Sequence, residues 1–236
     1  MLLNKISSDF NIESLNKVNT TQLYSFLNPY SYCKIRNNKN LYNELSFFYC
    51  DGLILAKMMT LTRKKCKRVS FDFTSLATII FKHAEDYKKT IYIIGGKTDI
   101  ANNACNVFKK KFPNLKIIGI HEGFFQSIDE KKNTLENIVK LSPDIVIAGL
   151  GTIHQEQFLI DLKNNGWIGI GFTCGGFLHQ TANKNGIYYP IWIDKTHLRW
   201  LYRIFDEPKL AKRYLTYYPI FFIYFFKDII SMYLKR

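Results

Sequence analysis

The residues best placed to do chemistry begin with the stretch SPDIVIAGLGTIHQEQFLID, residues 142–161. Residues 144–148 form a short apolar, β-branched run. Gly149-Leu150-Gly151 needs a turn of small residues, and helical periodicity starts at Gln155, so strand, tight loop and helix follow directly. In an open α/β sheet a ligand lies beyond the carboxyl ends of the strands, where loop N–H groups and a helix N-terminus hold an anion. Gln155 and Glu156 stand at that rim as candidate ligand contacts. Taken alone, they are equally ordinary polar residues of a first helical turn.

Other candidates occupy the same kind of position. Residues 22–27 read as a strand ending at Asn28-Pro29, because the residue before proline is pushed toward extended geometry. Phe47-Phe48-Tyr49-Cys50 is a short apolar strand that stops at Asp51-Gly52. A carboxylate at a strand end can act as a general base or bind a sugar hydroxyl, and it can equally cap the helix read over 53–59. Lys64-Lys65-Cys66-Lys67-Arg68 is a charge run that either faces solvent or meets phosphate, Arg68 being its last cation. Residues 91–94 form a strand ending in Gly95-Gly96-Lys97-Thr98. A P-loop would need glycine where Ile91 stands inside that strand, so Gly95 and Gly96 allow close approach of a ligand or simply form the turn.

The elements that must position these residues alternate regularly. Helical patterns over 74–88, from Thr98 through 111, and over 129–141 separate strands at 91–94, 116–120 and 144–148, and a further strand over 167–172 precedes Thr173-Cys174-Gly175-Gly176. Strand, helix, strand at these lengths implies right-handed βαβ units, a parallel sheet and helices on both faces, which is a Rossmann-like α/β core. Residues 11–21 are weakly helical, and 30–45 read as a surface helix broken by the polar run at 36–40.

Composition narrows the class. A chain of 236 residues that is 47% hydrophobic can bury one real core with room for a terminal appendage, here residues 1–187 and 188–236. A net charge of +14 favours anionic partners such as nucleic acid, lipid or a sugar nucleotide. Cys33, Cys50, Cys66, Cys105 and Cys174 are scattered, odd in number and form no CxxC, which indicates neither a disulfide framework nor a zinc site and suits a reducing cytosol. The first ten residues lack a basic segment leading into an apolar core, so the chain is expected to stay inside the cell. His121, His154, His179 and His197 show no metal-ligand spacing and no D-x-D occurs, so no metal and no cofactor is expected; a diphosphate would have to be neutralised by Arg, Lys and helix termini.

From Tyr188 onward aromatic residues interleave with cations. Residues 220–226 are wholly apolar but are interrupted by Lys227 and Asp228, too short for the roughly 20 apolar residues a bilayer span needs. A helical appendage lying in the membrane interface fits better, with rings at headgroup depth and Lys/Arg against anionic lipid. Core helices or a subunit interface of a homo-oligomer are the alternatives, and the greasy run argues against a groove for nucleic acid.

In their order, Asn28-Pro29, Asp51-Gly52, Ile94-Gly95-Gly96, His121-Glu122-Gly123-Phe124-Phe125, Gly149-Leu150-Gly151 with Gln155-Glu156, and Leu198-Arg199-Trp200-Leu201-Tyr202-Arg203 followed by Glu207-Pro208 resemble the WecG/TagA/CpsF family of bacterial glycosyltransferases. The resemblance covers nearly everything after Leu23. It implies metal-free transfer, with inversion, of a hexose or N-acetylhexosamine such as glucose or N-acetylmannosamine. The donor would be a UDP-sugar and the acceptor a polyprenyl-diphosphate-linked saccharide, at the cytoplasmic face of the membrane, in surface polysaccharide assembly. It makes Asp51 the base, Asn28 and Gln155 pocket residues, and Arg203 with Arg213 the cations facing the diphosphate. The chain departs from the family at Phe26, where threonine is common, at Asp72, which no glycine precedes by two, and after Phe177, where Leu178-His179-Gln180 replaces an aspartate. His179 and Gln180 are the candidate replacements there. A dinucleotide-dependent oxidoreductase is the enzymatic rival, weakened because His154 stands where the third glycine of G-x-G-x-x-G belongs. A basic membrane- or nucleic-acid-binding protein is the non-enzymatic one.

Overall fold

Strands that are apolar on both sides must be covered on both sides, and the chain meets that demand with one all-parallel sheet. The computed structural model describes residues 1–15, 19–183, 193 and 199–234. A short helix α1 (Leu2–Lys5) precedes β1 (Gln22–Leu27), from which the chain passes through α2 (Pro29–Ile35) and α3 (Lys39–Glu44) to β2 (Phe47–Cys50). Helices α4 (Leu53–Met59) and α5 (Leu76–Asp86) lead to β3 (Thr90–Gly95), then α6 (Thr98–Lys111), β4 (Lys116–His121), α7 (Ile128–Leu141) and β5 (Ile145–Gly149). Next come α8 (His154–Asn164), β6 (Ile170–Thr173), α9 (Phe177–Asn183), α10 (Arg199–Asp206) and the long α11 (Lys209–Leu234).

The six strands lie in the order β2-β1-β6-β5-β3-β4, every pair parallel. Alternation along β1, β3 and β5 feeds two cores. Leu23 and Leu27, Tyr92 and Ile94, and Val146 and Ala148 pack with Tyr32, Leu55, Ile138, Phe158 and Leu162 on one face. Tyr24 and Phe26, Ile91 and Ile93, and Ile145 and Ile147 pack with Ile80, Phe81, Phe108 and Phe177 on the other. The second core is strongly aromatic, with Phe108 and Phe177 stacked at 5.5 Å between ring centroids. α8 thus lies on the first face and α9 on the second.

The strands at 22–27 and 47–50 and the helix at 53–59 match their sequence patterns residue for residue. The pattern over 30–45 divides into α2 and α3, because Asn38 breaks out to cap α3 by accepting from Leu41 N–H at 3.0 Å. α5 begins later than its apolar pattern because Asp72 ties down the preceding turn, accepting from Thr74 N–H at 2.8 Å and Ser70 Oγ at 2.7 Å. Within residues 11–21 only 12–15 form a turn of 3₁₀ helix among the described residues. All five cysteines are free thiols, four of them buried.

α11 settles against the first core through Phe221, Phe225 and Ile229, and Tyr32 of α2 meets Phe221 edge-on at 5.4 Å. Burying each of those phenylalanines contributes roughly 1.5–3 kcal/mol. The tail is therefore a core helix along one side, while Leu215, Ile223, Phe226, Ile230 and Leu234 on its other side remain exposed. No described helix is long and apolar enough to cross a membrane. The boundary expected at residues 187 and 188 falls outside the described residues.

Candidate functional site

A topological switch point opens where neighbouring strands send their helices to opposite faces. β1 is followed by α2 on the first face and adjacent β6 by α9 on the second, and at their carboxyl ends lies a cavity of about 500 Å³. Its wall takes Asn28 from the end of β1, Asp51 from the end of β2, Thr173 to Gly176 from the β6–α9 turn, Gly151 and Gln155 from the loop into α8, and Leu210 and Arg213 from α11.

Each side chain is set by its local fold. Asn28 is the N-cap of α2: its Oδ1 accepts from Ser31 N–H at 3.1 Å while Ser31 Oγ accepts from Asn28 N–H at 2.8 Å, a reciprocal capping box. That leaves its Nδ2 as the donor toward the cavity. Asp51 does not cap α4, because the N-cap is Gly52, at φ 104°, with no side-chain bond. Its backbone N–H is bound to Leu27 O at 2.7 Å, which fixes the carboxylate beside the end of β1. Arg68 arrives through a one-residue parallel bridge to Cys50 and lies between two carboxylates, 2.9 Å from Asp72 Oδ2 and 3.9 Å from Asp51 Oδ1. Of the charge run at 64–68, Arg68 is the member that lines the cavity.

Gln155 and Glu156 both belong to the first turn of α8, yet they do different things. Gln155 lines the cavity and its Oε1 accepts from Gly175 N–H at 3.2 Å, joining α8 to the β6–α9 turn. Glu156 is fully buried behind it. Burial pushes the Glu156 carboxyl above its ordinary range, against the pull of hydrogen bonds from Gln155, Ser25 and the Ile153 N–H. Beyond Phe177, Gln180 faces the cavity, while His179 lies outside it and contacts Asn183 Nδ2 at 3.3 Å.

Gly95 and Gly96 do not line this cavity. They lie at a second switch point, between β3 and β5, and there the crevice is filled by backbone. A Cβ on Gly95 would sit 2.6 Å from Gly149 O, and one on Gly123 would sit 2.9 Å from Leu150 Cδ2 and 3.0 Å from Gly95 Cα. The His121-Glu122-Gly123-Phe124-Phe125 segment is thus a brace for the loop at 149–151: Gly123 packs under Leu150, and Phe125 stacks on Phe158 of α8 at 5.9 Å.

Among the lining residues that the sequence did not mark as contacts, three carry charge or a ring the site can use. Asp72 is one, and its signal is the Ser70-x-Asp72-x-Thr74 spacing of a side-chain-bonded turn. Tyr30 is another, its ring covered by the Arg213 guanidinium at 4.1 Å and by Tyr217 edge-on at 4.8 Å. Glu207 is the third. Arg203 belongs to α10, but its side chain, like those of Arg199 and Trp200, lies outside the described residues. No group of three or more His, Cys, Asp or Glu able to hold a metal occurs among the described residues.

Comparison with known proteins identifies relatives of the chain. A protein of Shigella boydii named UDP-Gal:alpha-D-GlcNAc-diphosphoundecaprenol beta-1,4-galactosyltransferase is 37% identical over 215 residues, 91% of this chain and 90% of its own. A Bacillus subtilis protein named N-acetylglucosaminyldiphosphoundecaprenol N-acetyl-beta-D-mannosaminyltransferase is 26% identical over 198 residues, 81% of this chain and 74% of its own. The family match runs from residue 5 to residue 234, which sets aside the oxidoreductase and non-enzymatic readings: the chain belongs to the glycosyl transferase WecG/TagA/CpsF family.

Proposed function

We propose that this glycosyltransferase moves a hexose from a UDP-sugar to a saccharide carried on polyprenyl diphosphate, inverting the anomeric carbon, in cell-surface polysaccharide assembly. The observation that carries the reading is that a carboxylate, Asp51, and two guanidinium-bearing residues, Arg68 and Arg213, line one cavity beyond the carboxyl ends of the strands. The names of the Shigella and Bacillus relatives share one acceptor, N-acetylglucosamine on undecaprenyl diphosphate, and differ in the sugar given. The acceptor is accordingly the same class here, and the greater identity to the galactosyltransferase makes UDP-galactose the first donor to try.

In this reading Asp51 takes the proton of the acceptor hydroxyl as its oxygen attacks C1 of the donor. The bond from C1 to the UDP oxygen breaks on the opposite side, and the leaving diphosphate carries away the charge that Arg213 and Arg203 offset. Arg68, held by Asp72, orients the Asp51 carboxylate. Asn28, Gln155 and Gln180 contact donor or acceptor, and the turn at 173–176 closes over them. A carboxylate base and guanidinium counter-charges are the groups that inversion by direct displacement asks of the chain.

The exposed apolar side of α11, flanked by Lys212 and Lys227, supports a second part of the proposal: the helix lies in the inner face of the cell membrane and brings the cavity to the lipid-linked acceptor. Release of UDP from purified protein, measured across UDP-galactose, UDP-glucose and UDP-N-acetylmannosamine with and without the lipid-linked N-acetylhexosamine, tests the reading. Acceptor-dependent release is expected; no release with any pair overturns it.

A further inference from the structure

Glu156 has no access to solvent, and its carboxylate accepts hydrogen bonds from three neighbours. Its Oε1 takes Ser25 Oγ–H at 2.8 Å and Gln155 Nε2–H at 3.0 Å, and its Oε2 takes the Ile153 N–H at 2.6 Å. Ile153 is held at φ 77°, a left-handed backbone that a β-branched residue adopts only under constraint, and it ends the loop whose Gly151 and Thr152 line the cavity.

This leaves the Gln155 amide one orientation. Its NH₂ end faces Glu156, and its oxygen faces the Gly175 N–H at 3.2 Å. Turning the amide over would set two oxygens against each other at Glu156 and two N–H donors against each other at Gly175. Gln155 and Gly175 both line the cavity, and a carbonyl oxygen has two lone pairs, of which Gly175 uses one. The remaining lone pair can accept from a ligand N–H or O–H group, and it repels a phosphate oxygen.

Resting on the glycosyltransferase reading above, we infer that Glu156 is a positioning residue that locks Gln155 as a hydrogen-bond acceptor, so that Gln155 reads a hydroxyl or imide N–H donor of the nucleotide sugar and not its diphosphate. Glu156→Gln presents a donor as well as an acceptor at that buried place and lets the Gln155 amide reverse. Gln155→Met removes the acceptor and keeps the buried carboxylate, so it tests the same ligand preference if Glu156→Gln does not fold.

The experiment measures binding of UDP-hexose, UDP and inorganic pyrophosphate to the full-length wild type and both variants, with KM and kcat for the donor. Both variants are expected to weaken UDP-hexose by about three- to tenfold, the loss of one hydrogen bond, mainly through KM, and to leave pyrophosphate unchanged. Weakening of UDP-hexose alone assigns the contact to a sugar hydroxyl; equal weakening of UDP assigns it to the uracil imide. Pyrophosphate weakened as much as the nucleotides, or no ligand weakened, overturns the inference. Wild-type protein that binds no UDP ligand overturns the glycosyltransferase reading, and the inference with it.

Discussion

Arg36 and Asp228, 192 residues apart in the chain, meet through a two-pronged ion pair, Nε to Oδ2 at 3.0 Å and an η-nitrogen to Oδ1 at 2.5 Å. Tyr32 donates to the same Oδ2 at 2.5 Å, and the Arg36 guanidinium also covers the Tyr224 ring at 4.4 Å. α11 is thereby fixed to α2, the helix whose N-cap is Asn28 and whose first turn carries Tyr30. One short helix connects the apolar tail to the cavity.

Removing one partner of such a pair strands the other. The side chains of Arg36 and Asp228 are only 12% and 17% exposed, so Asp228→Ala leaves a cation and a hydroxyl with little water to replace the carboxylate. A loss of about 3 kcal/mol is expected, read as a fall of several degrees in Tm. Tyr32→Phe removes one hydrogen bond and costs about 1 kcal/mol. An unchanged Tm for Asp228→Ala means that α11 is held by its apolar contacts alone.

Asp51→Asn keeps the shape of the side chain and removes the proposed proton acceptor. Because Gly52 occupies the N-cap of α4, no helix depends on Asp51, and Tm should be nearly unchanged. kcat should fall by about 10²–10⁴-fold, the range of a lost general base, with UDP affinity preserved. Normal turnover by this variant removes Asp51 from the chemistry.

Under the proposed function Arg213 has two tasks, charge toward the diphosphate and a planar face over Tyr30, on which it lies at 4.1 Å. Lysine supplies the first and not the second. Arg213→Lys should therefore raise donor KM by about three- to tenfold, Tyr30→Leu should copy that change, and Arg213→Ala should exceed both. If Arg213→Lys matches wild type while Tyr30→Leu does not, the stack serves Tyr30 and not the cation.

The parallel sheet was legible because its strands are short apolar runs bounded by glycine, proline and asparagine, a pattern only a sheet covered on both faces uses. The rim of the cavity was legible for the same reason: Asn28 and Asp51 follow strands directly, and Gln155 follows one through a tight loop. Gly95 and Gly96 show the limit. A glycine turn after a strand is needed for a ligand and for another glycine turn alike, and only the neighbouring backbone of Gly149 and Gly123 distinguishes them. Glu156 and Gln155 are adjacent polar residues on a polar-looking helix start, and nothing local says that both are buried and that only Gln155 lines the cavity. The separation depends on Ser25 of β1, 131 residues away in the chain, which meets Glu156 on the face of the sheet that α8 covers. Arg213 over Tyr30 is equally invisible, because it arises when α11 packs on α2.

The foot of the sheet offers a test against pH. Asp144, at the start of β5, is raised by its partial burial but lowered further by the Thr90 N–H and hydroxyl and the Lys89 ammonium, so its carboxyl is held below the ordinary range. The Thr90 bonds are both 2.8 Å and the Lys89 bond 3.0 Å. A carboxyl whose pKa is depressed in the folded state contributes stability above its unfolded value of about 3.9, and that contribution is lost as pH falls through the lower folded value. The urea midpoint of wild type should therefore fall more steeply below about pH 4 than that of Asp144→Asn, with the two curves furthest apart near neutrality. Parallel curves mean that Asp144 titrates alike folded and unfolded.

The proposed membrane contact of α11 is open to test on its outer side. Ile223 and Ile230 are 67% and 58% exposed, so replacing both with glutamate removes no core contact and should leave Tm where it was. Each isoleucine buried in an interface contributes roughly 1.5–3 kcal/mol, so the double variant should lower partition onto anionic vesicles by at least about tenfold. Binding of the wild type should also weaken with salt, because Lys212 and Lys227 flank the apolar stripe and meet anionic headgroups. The same stripe suits a second copy of the chain, and sedimentation separates the cases. If the double variant turns a dimer into a monomer and still floats with vesicles, the stripe is a subunit contact. If the protein is monomeric throughout and the variant no longer floats, α11 is what carries Asp51 and Arg213 to the membrane surface.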